Sequence, residues 1–238
     1  MKVRGERECQ ACGSRWSYFD TGSVECPDCG SLRSVGVEDR ERHTDAPATL
    51  DLTAVRKSLD DGAALDEVAS AAADECREYV RKRGFIDAGT LRVLDDTYVG
   101  ARVLAGVGKR LARSMRVEDD EELFFLTLLR GVDHGELPAA SEVPSSLRDA
   151  WALALTSAIT EYRRDVRAAL SDDPDDSVTA ALTTLAEHVK RVEALDGDVP
   201  PAESQALLSA ARDIGRSVVD GDEAALATAK DRLDRLGP

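Results

Sequence analysis

Two cysteine pairs near the amino terminus constrain this 238-residue chain more than any other feature. Each pair has the form Cys-x2-Cys-Gly, at residues 9–13 and 26–30, and thirteen residues separate the two pairs. Such a knuckle turns two thiolates towards one point, and the glycine after the second cysteine permits the positive φ that the bend requires. Four thiolates complete the tetrahedral shell of a structural zinc site, so the predicted ligands are Cys9, Cys12, Cys26 and Cys29. Iron at the same cysteines is the alternative.

The region around these cysteines has the pattern of a small module that depends on its metal. A module of about 40 residues cannot bury enough apolar surface to fold alone, so the metal would supply much of its folding energy. Strand-like stretches at residues 15–20 and 32–37 predict a three-stranded zinc ribbon over residues 1–43.

The aromatic residues of the ribbon raise the question of what covers them. On a strand, Trp16 and Tyr18 would share one face while Arg15 and Phe19 would lie on the other. So small a module cannot bury both faces, and we expect one face to contact the helical region or a partner. The candidate partner-binding residues are Arg15, Phe19 and Arg33, since arginine and exposed aromatic side chains contribute most to binding interfaces.

Residues 6–40, with both knuckles, resemble the zinc ribbon of transcription initiation factor B and of several ribosomal proteins. The chain as a whole resembles uncharacterised zinc-ribbon proteins of halophilic archaea. This resemblance implies one structural zinc ion and contact with the transcription or translation machinery. The cysteine spacing also resembles the rubredoxin-like tail of rubrerythrins, whose di-iron bundle needs Glu-x-x-His motifs. The residues three positions before the histidines are Arg40, Gly131 and Leu185, so the di-iron interpretation is excluded.

The charge of the chain is large, negative and unevenly distributed. The net charge is −15, with Asp outnumbering Glu by 28 to 18 and Arg outnumbering Lys by 25 to 6. A carboxylate-rich surface stays hydrated in molar salt, where screening weakens its self-repulsion, so the composition indicates a protein of a salt-loving archaeon. Residues 1–43 carry a net charge of −1 and residues 44–238 carry −14. Binding of nucleic acid by bulk positive charge is therefore excluded, and any such contact is expected through the ribbon alone.

Beyond a short linker at residues 44–49, the sequence has a helical pattern. Apolar residues recur at helical spacing over residues 65–80, and Gly84 is expected to end that helix. A longer helix is predicted over about residues 91–115, and the apolar run 123–129 is predicted to form the centre of the core. Because short connections favour antiparallel neighbours, the predicted fold is mainly α: an N-terminal three-stranded zinc ribbon followed by an all-α antiparallel helical bundle over residues 50–238.

The sequence lacks the motifs of several membrane, secreted and enzymatic classes of protein. Apolar runs fall well short of the ~18 residues that a membrane span needs, and no secretory signal is recognisable, so we expect a soluble cytoplasmic protein. No phosphate-binding loop, dinucleotide fingerprint or nucleophile elbow is present. The patterns around Cys76, His134 and His188 favour packing or helix-end roles over catalysis.

Together these observations predict a non-enzymatic zinc-ribbon adaptor or regulatory protein. Its ribbon would engage the transcription or translation machinery, and its acidic helical body would bind protein. Two alternatives stay open. One is a rubredoxin-like electron carrier with iron at the four cysteines, and the other is an enzyme whose site is assembled from separate helices, which sequence periodicity does not reveal.

Overall fold

The computed structural model describes residues 2–171 and 174–236, so the predicted domain ends at Met1 and Pro238 lie outside the described residues. The elements of the amino-terminal part are β1 (Lys2–Arg4), β2 (Glu6–Cys9), β3 (Arg15–Ser17), the helical turn α1 (Tyr18–Thr21), β4 (Ser34–Gly36) and β5 (Arg40–Arg42). In this part, β2 lies between β3 and β4 in an antiparallel three-stranded sheet, and β1 pairs antiparallel with β5.

The strand predicted over residues 15–20 ends earlier than expected. The Ser17 side chain accepts a hydrogen bond from the Asp20 N–H, which starts a helical turn, and Gly22 ends that turn with a φ of 63°. Tyr18 and Phe19 therefore lie on α1, and the alternation of faces predicted for a strand does not extend to them. The second predicted strand is likewise shortened, to Ser34–Gly36.

From Thr53 onward the chain is mainly helical, which confirms the predicted fold class. Several helices begin at an aspartate whose carboxylate accepts a first-turn N–H, as Asp95, Asp175 and Asp222 do. The helices are α2 (Thr53–Asp60), α3 (Leu65–Lys82), α4 (Asp96–Leu111), α5 (Asp119–Gly131), α6 (Arg148–Ala169), α7 (Asp176–Ala194), α8 (Pro201–Asp220) and α9 (Glu223–Arg235).

The core of the helical body is built around α4 and α6. Gly108, near the end of α4, lies against Ala69 near the start of α3, so these two helices are antiparallel. A Cβ atom at Gly108 would lie 2.6 Å from the Ala69 carbonyl oxygen, so this close packing requires glycine. Trp151 and Tyr162 of α6 are almost completely buried. Of the run 123–129, predicted to form the centre of the core, Phe124, Phe125, Leu128 and Leu129 are buried in the core. Leu123 is 66% exposed, so α5 presents one side to solvent and the run is not buried on all sides.

A short hairpin interrupts the predicted helical region. It consists of β6 (Ile86–Asp87) and β7 (Thr90–Leu91), joined by Ala88 and Gly89 with φ of 47° and 79°. Positive φ at both loop positions is typical of a tight two-residue hairpin turn. The helix predicted over residues 91–115 therefore begins only at Asp96.

Residues 44–46, inside the predicted linker, are fixed to the helical body. The Thr44 hydroxyl donates to the buried Asp165 carboxylate at 2.6 Å, and its N–H donates to the Ile86 carbonyl at 2.9 Å. The Asp45 carboxylate accepts hydrogen bonds from Arg83 at 2.8 Å and from the Gly84 N–H at 3.1 Å. A Cβ atom at Gly84 would overlap the Thr44 carbonyl group, so Gly84 permits the close approach of this segment. The domain limits at 43/44 and 49/50 stay a prediction.

Candidate functional site

The two cysteine knuckles repeat one backbone arrangement. The N–H of Gly13 donates to the Cys9 carbonyl, and the N–H of Gly30 donates to the Cys26 carbonyl, each at 2.9 Å. The φ of Gly13 is 80° and that of Gly30 is 69°. Both glycines thus occupy the left-handed region that side chains disfavour, which is the conformation that the motif predicts.

The four cysteine sulfurs converge on one point. The Sγ atoms of Cys9, Cys12, Cys26 and Cys29 all lie within 4.8 Å of one another. Between the knuckles, the Cys9–Cys29 and Cys12–Cys26 sulfur distances are both 3.6 Å. A tetrahedral site with metal–sulfur bonds of about 2.3 Å has sulfur–sulfur edges of about 3.8 Å. The four cysteines therefore fit a single tetrahedral metal ion.

The thiols differ in how readily they ionise. Hydrogen bonds with the Ser14 hydroxyl and backbone lower the pKa of Cys12 to about 6. At Cys29 a backbone hydrogen bond from Ser31 favours the thiolate, but the neighbouring sulfurs of Cys12 and Cys9 outweigh it and raise the pKa to about 12. Four thiolates so close together repel one another, and a bound dication offsets that repulsion.

The metal centre is also the core of the ribbon. Cys9 and Cys26 are 2% and 1% exposed, and the largely buried Trp16 packs with them in a small apolar cluster. The Trp16 indole N–H donates to the Ser23 carbonyl at 3.1 Å, which holds the ring in one orientation within this cluster. So small a cluster cannot stabilise the ribbon without further bonds, and metal coordination is the interaction that the arrangement of sulfurs provides. The donor set suits zinc and iron alike.

Residues 1–233 match a family model described as "Family of unknown function (DUF7117)". The chain belongs to the DUF7117 family. The matched residues run through both the ribbon and the helical body. No curated protein and no solved structure matches the chain.

None of the helices within the described ranges combines the length and the apolar character that crossing a membrane requires.

The three residues predicted to bind a partner lie at separate places on the ribbon. Arg15 is exposed on β3 and pairs with Glu8 at 2.7 Å. Phe19 is partly buried: its ring lies 4.6 Å from the His43 ring and packs closely over Gly5. Arg33 is exposed just before β4, which lies on the opposite side of β2 from β3. Phe19 thus has a packing role, and the partner-binding role of the three residues stays a prediction.

The cysteine and histidines assigned to packing or helix ends lie away from the metal centre. Cys76 is completely buried in α3, and burial raises its pKa to about 12. His188 is largely buried on α7, whereas His134 is exposed at the end of a helical turn. In the part of the chain that the structure describes, the four ribbon cysteines are the one group of three or more metal-binding side chains that converge.

An open groove of about 470 Å³ lies between α4 and α6, and we call it the body groove. Its floor is apolar and includes Leu153, which is 39% exposed. Its rim is strongly basic, although residues 44–238 carry a net charge of −14. The basic residues of the rim are Arg77, Arg102, Lys109, Arg110 and Arg113.

Some of these rim charges are neutralised and others are not. Arg110 pairs with Asp149 at 2.6 Å, while Arg102 donates to the neutral hydroxyls of Ser157 and Tyr98. Within residues 2–171 and 174–236, no carboxylate oxygen lies within 4.0 Å of a side-chain nitrogen of Lys109 or Arg113. The groove therefore keeps uncompensated positive charge above an apolar floor.

Gly106 lies in this groove and is not explained by packing. A Cβ atom there would meet the Ala150 carbonyl oxygen at 3.5 Å and the Ala154 Cβ at 4.0 Å, which are ordinary contacts. Glycine inside a helix costs roughly 1 kcal/mol relative to alanine. The absence of a side chain at Gly106 leaves the groove floor open between the two helices.

The body groove is not predicted from the sequence, although the sequence of α4 and the turn after it carries a signal for it. The basic residues Arg102, Lys109 and Arg110 of α4 and Arg113 just beyond it recur at spacings of seven, one and three residues, which in a helical pattern places them along one side. Such a basic stripe is unusual on so acidic a body. Only the packing of α4 against α6 shows that the stripe borders an apolar floor.

Proposed function

We propose that this protein is a non-enzymatic cytoplasmic adaptor whose zinc ribbon contacts the transcription or translation machinery and whose helical body binds protein. The observation that carries the proposal is the body groove, where uncompensated cations border an apolar floor. Its occupant is an acidic amphipathic helix of a partner protein. The apolar side of such a helix covers Leu153, and its carboxylates face Lys109 and Arg113.

The dimensions of the groove support a helical occupant. The basic rim runs from Arg102 of α4 to Arg113, two residues beyond the end of that helix, and at 1.5 Å per residue it spans about 16 Å, the length of roughly three helical turns. The groove is open along its length, whereas small-molecule sites enclose most of their ligand. Opposite charges across the contact also speed association and reject basic competitors.

The proposed contact of the ribbon with the transcription or translation machinery is supported by a resemblance. Its two knuckles resemble those of the zinc ribbons in transcription initiation factor B and in ribosomal proteins, and this resemblance implies that the metal is zinc. The family match spans both parts of the chain, and residues 44–46, which follow the ribbon directly, are hydrogen-bonded to the body. In this proposal zinc has a structural role, and the ribbon and the body act together on one assembly.

A crosslinking experiment with charge-reversal variants tests the proposal. A photoreactive benzoylphenylalanine at Leu153 is expected to crosslink a partner through an acidic helical segment that mass spectrometry can identify. The double variant Lys109→Glu with Arg113→Glu should lose this crosslink. The matched control, Lys190→Glu with Arg130→Glu, makes the same charge change at exposed positions on other helices and should keep it. If both double variants keep the crosslink, or both lose it, the body groove is not the binding site.

A further inference from the structure

A second basic groove, of about 450 Å³, lies in the ribbon, and we call it the ribbon groove. It is distinct from the surface of Arg15 and Phe19, which line a different depression. The residues that matter here are Lys2, Arg4, Arg7, Arg40, Tyr18 and Val24. No carboxylate-bearing residue is among those that line it, although the whole chain has a net charge of −15.

The register of β1 and β5 places the basic residues of this two-stranded sheet on one face and its acidic residue on the other. Arg4 lies opposite Arg40, and Lys2 lies opposite Arg42. Because paired residues share a face and alternate along each strand, these four cations lie on one face. Glu41, which lies opposite Val3, falls on the other face.

Neutral acceptors hold two of the guanidinium groups in place. Arg4 donates to the Glu38 carbonyl at 2.9 Å, and Arg7 donates to the Ser34 hydroxyl at 3.0 Å. These bonds orient the cations without neutralising them. A Cβ atom at Gly36 would lie 2.5 Å from the Arg4 Cβ, so the absence of a side chain at Gly36 lets the Arg4 side chain lie across β4.

The positive charge of these groups is available to an anion. In the described ranges, no carboxylate lies within 4.0 Å of the guanidinium nitrogens of Arg4, Arg7 or Arg40. Guanidinium groups bind phosphate oxygens through parallel hydrogen bonds. Beside the cations lie the partly buried ring of Tyr18 and the exposed side chain of Val24.

We propose that the ribbon groove binds single-stranded nucleic acid. Arg4, Arg7 and Arg40 contact successive phosphates, and an unpaired base stacks on Tyr18. A basic groove combined with an aromatic ring is the usual means of binding single strands, because every base offers a face for stacking. Duplex nucleic acid keeps its bases paired and presents none to Tyr18. The inference deepens the proposed function, since it names what the ribbon contacts.

The test uses a fluorescein-labelled 12-nucleotide oligothymidylate and the complete zinc-loaded protein. Fluorescence anisotropy should show binding that weakens as KCl rises. The double variant Arg4→Gln with Arg40→Gln should reduce the slope of log K against log salt by about 1.4, since each phosphate contact to a single strand contributes about 0.7. The matched control, Arg15→Gln with Arg33→Gln, also removes two positive charges from the ribbon and should keep the slope. If the control loses binding and the groove variant keeps it, the nucleic acid binds the other surface and the inference is wrong.

Variants of Tyr18 separate stacking from general attraction of a polyanion. Tyr18→Phe keeps the aromatic face and should keep the affinity, whereas Tyr18→Leu keeps apolar volume and should weaken binding about tenfold. Equal affinity of the two variants, or a 12-base-pair duplex that binds as tightly as the single strand, would overturn the inference. Zinc content measured for each variant identifies any that fail to fold.

The experiments can distinguish failure of the ribbon-groove proposal from failure of the body-groove proposal. Oligonucleotide binding does not involve the body groove, so Lys109→Glu with Arg113→Glu should leave the anisotropy titration unchanged. Failure to bind the oligonucleotide would refute the inference about the ribbon and leave the crosslinking result at Leu153 as it stands.

Discussion

The ribbon and the helical body are stabilised in opposite ways. In the ribbon, Trp16, Cys9 and Cys26 form a very small buried cluster, and the four sulfurs form a site for a metal. In the body, a continuous apolar core includes Trp151, Tyr162 and many aliphatic side chains from every long helix. The two parts therefore respond differently to the same perturbation, which is the basis of the predictions below.

Loss of a metal ligand should give the largest effect. We expect Cys12→Ser to unfold residues 1–43, because coordination of a structural metal contributes about 10 kcal/mol or more to folding. The helical circular dichroism should stay largely unchanged, since the body has its own core. Metal analysis, together with proteolysis of the ribbon, measures the outcome.

Cys76→Ala is the control for that substitution, because Cys76 is buried in α3 and belongs to the core of the helical body, not to the cluster around the metal centre. It should leave the metal content unchanged.

We expect one colourless zinc ion per chain in the native protein. A red protein with a reversible one-electron couple would instead establish the rubredoxin-like alternative, and global unfolding of Cys12→Ser would contradict the independence of the body.

Two glycine substitutions should change the free energy of unfolding in opposite directions. Gly84→Ala places a methyl group on the Thr44 backbone and should lower the free energy of unfolding by about 3 kcal/mol. Gly106→Ala adds a methyl group where there is room and should raise the free energy by roughly 0.5–1 kcal/mol. Urea denaturation measures both. A neutral result for Gly84→Ala would show that residues 44–46 do not need their close approach to the body.

A buried ion pair should make the stability of the body depend on acid pH. Arg56 contacts both carboxylate oxygens of Asp133 at 2.8 Å. Burial of Asp133 raises its pKa, but the hydrogen bonds from Arg56 and from the Leu52 N–H outweigh that effect, so the pKa of Asp133 is lowered overall. The pair therefore stabilises the fold above the unfolded pKa of about 3.9, and this contribution is lost as the pH falls through the lower folded value.

Arg56→Gln should accordingly lower the free energy of unfolding by about 2 kcal/mol at pH 7, since it leaves a buried carboxylate without its partner. The difference from the native protein should shrink as the pH falls below about 4. Lys57→Gln, on an adjacent exposed position of α2, should have little effect at either pH. A difference for Arg56→Gln that stays constant with pH would show that the ion pair is not its cause.

Salt should produce the smallest effect, and mainly in the body. Residues 44–238 carry a net charge of −14, so we expect their thermal midpoint to rise with KCl into the molar range as repulsion is screened. The nearly neutral ribbon should respond little. A midpoint of the body that is flat or falling with KCl would reject the halophile interpretation.

The features that the sequence predicts are those encoded locally. The cysteine knuckles follow from residues within five positions of one another, and the long helices follow from repeated apolar spacing. The features that it missed depend on residues far apart in the chain. The basic face of the β1–β5 sheet requires Arg4 to lie opposite Arg40, and the anchoring of Thr44 requires Asp165, 121 positions away. Periodicity carries no information about such pairs.

The hydrogen bonds that anchor residues 44–46 to the body affect how tightly the two grooves bind when both are occupied. Because Thr44 and Asp45 are hydrogen-bonded to the body, the chain that joins the ribbon to the body is held against it, which limits how far the ribbon groove can move from the body groove. When a single assembly supplies both a strand and an acidic helix, binding of the first raises the effective concentration of the second. Two weak contacts then give one tight attachment, and Gly84, which permits the approach of Thr44 to the body, would contribute to that gain from outside both grooves.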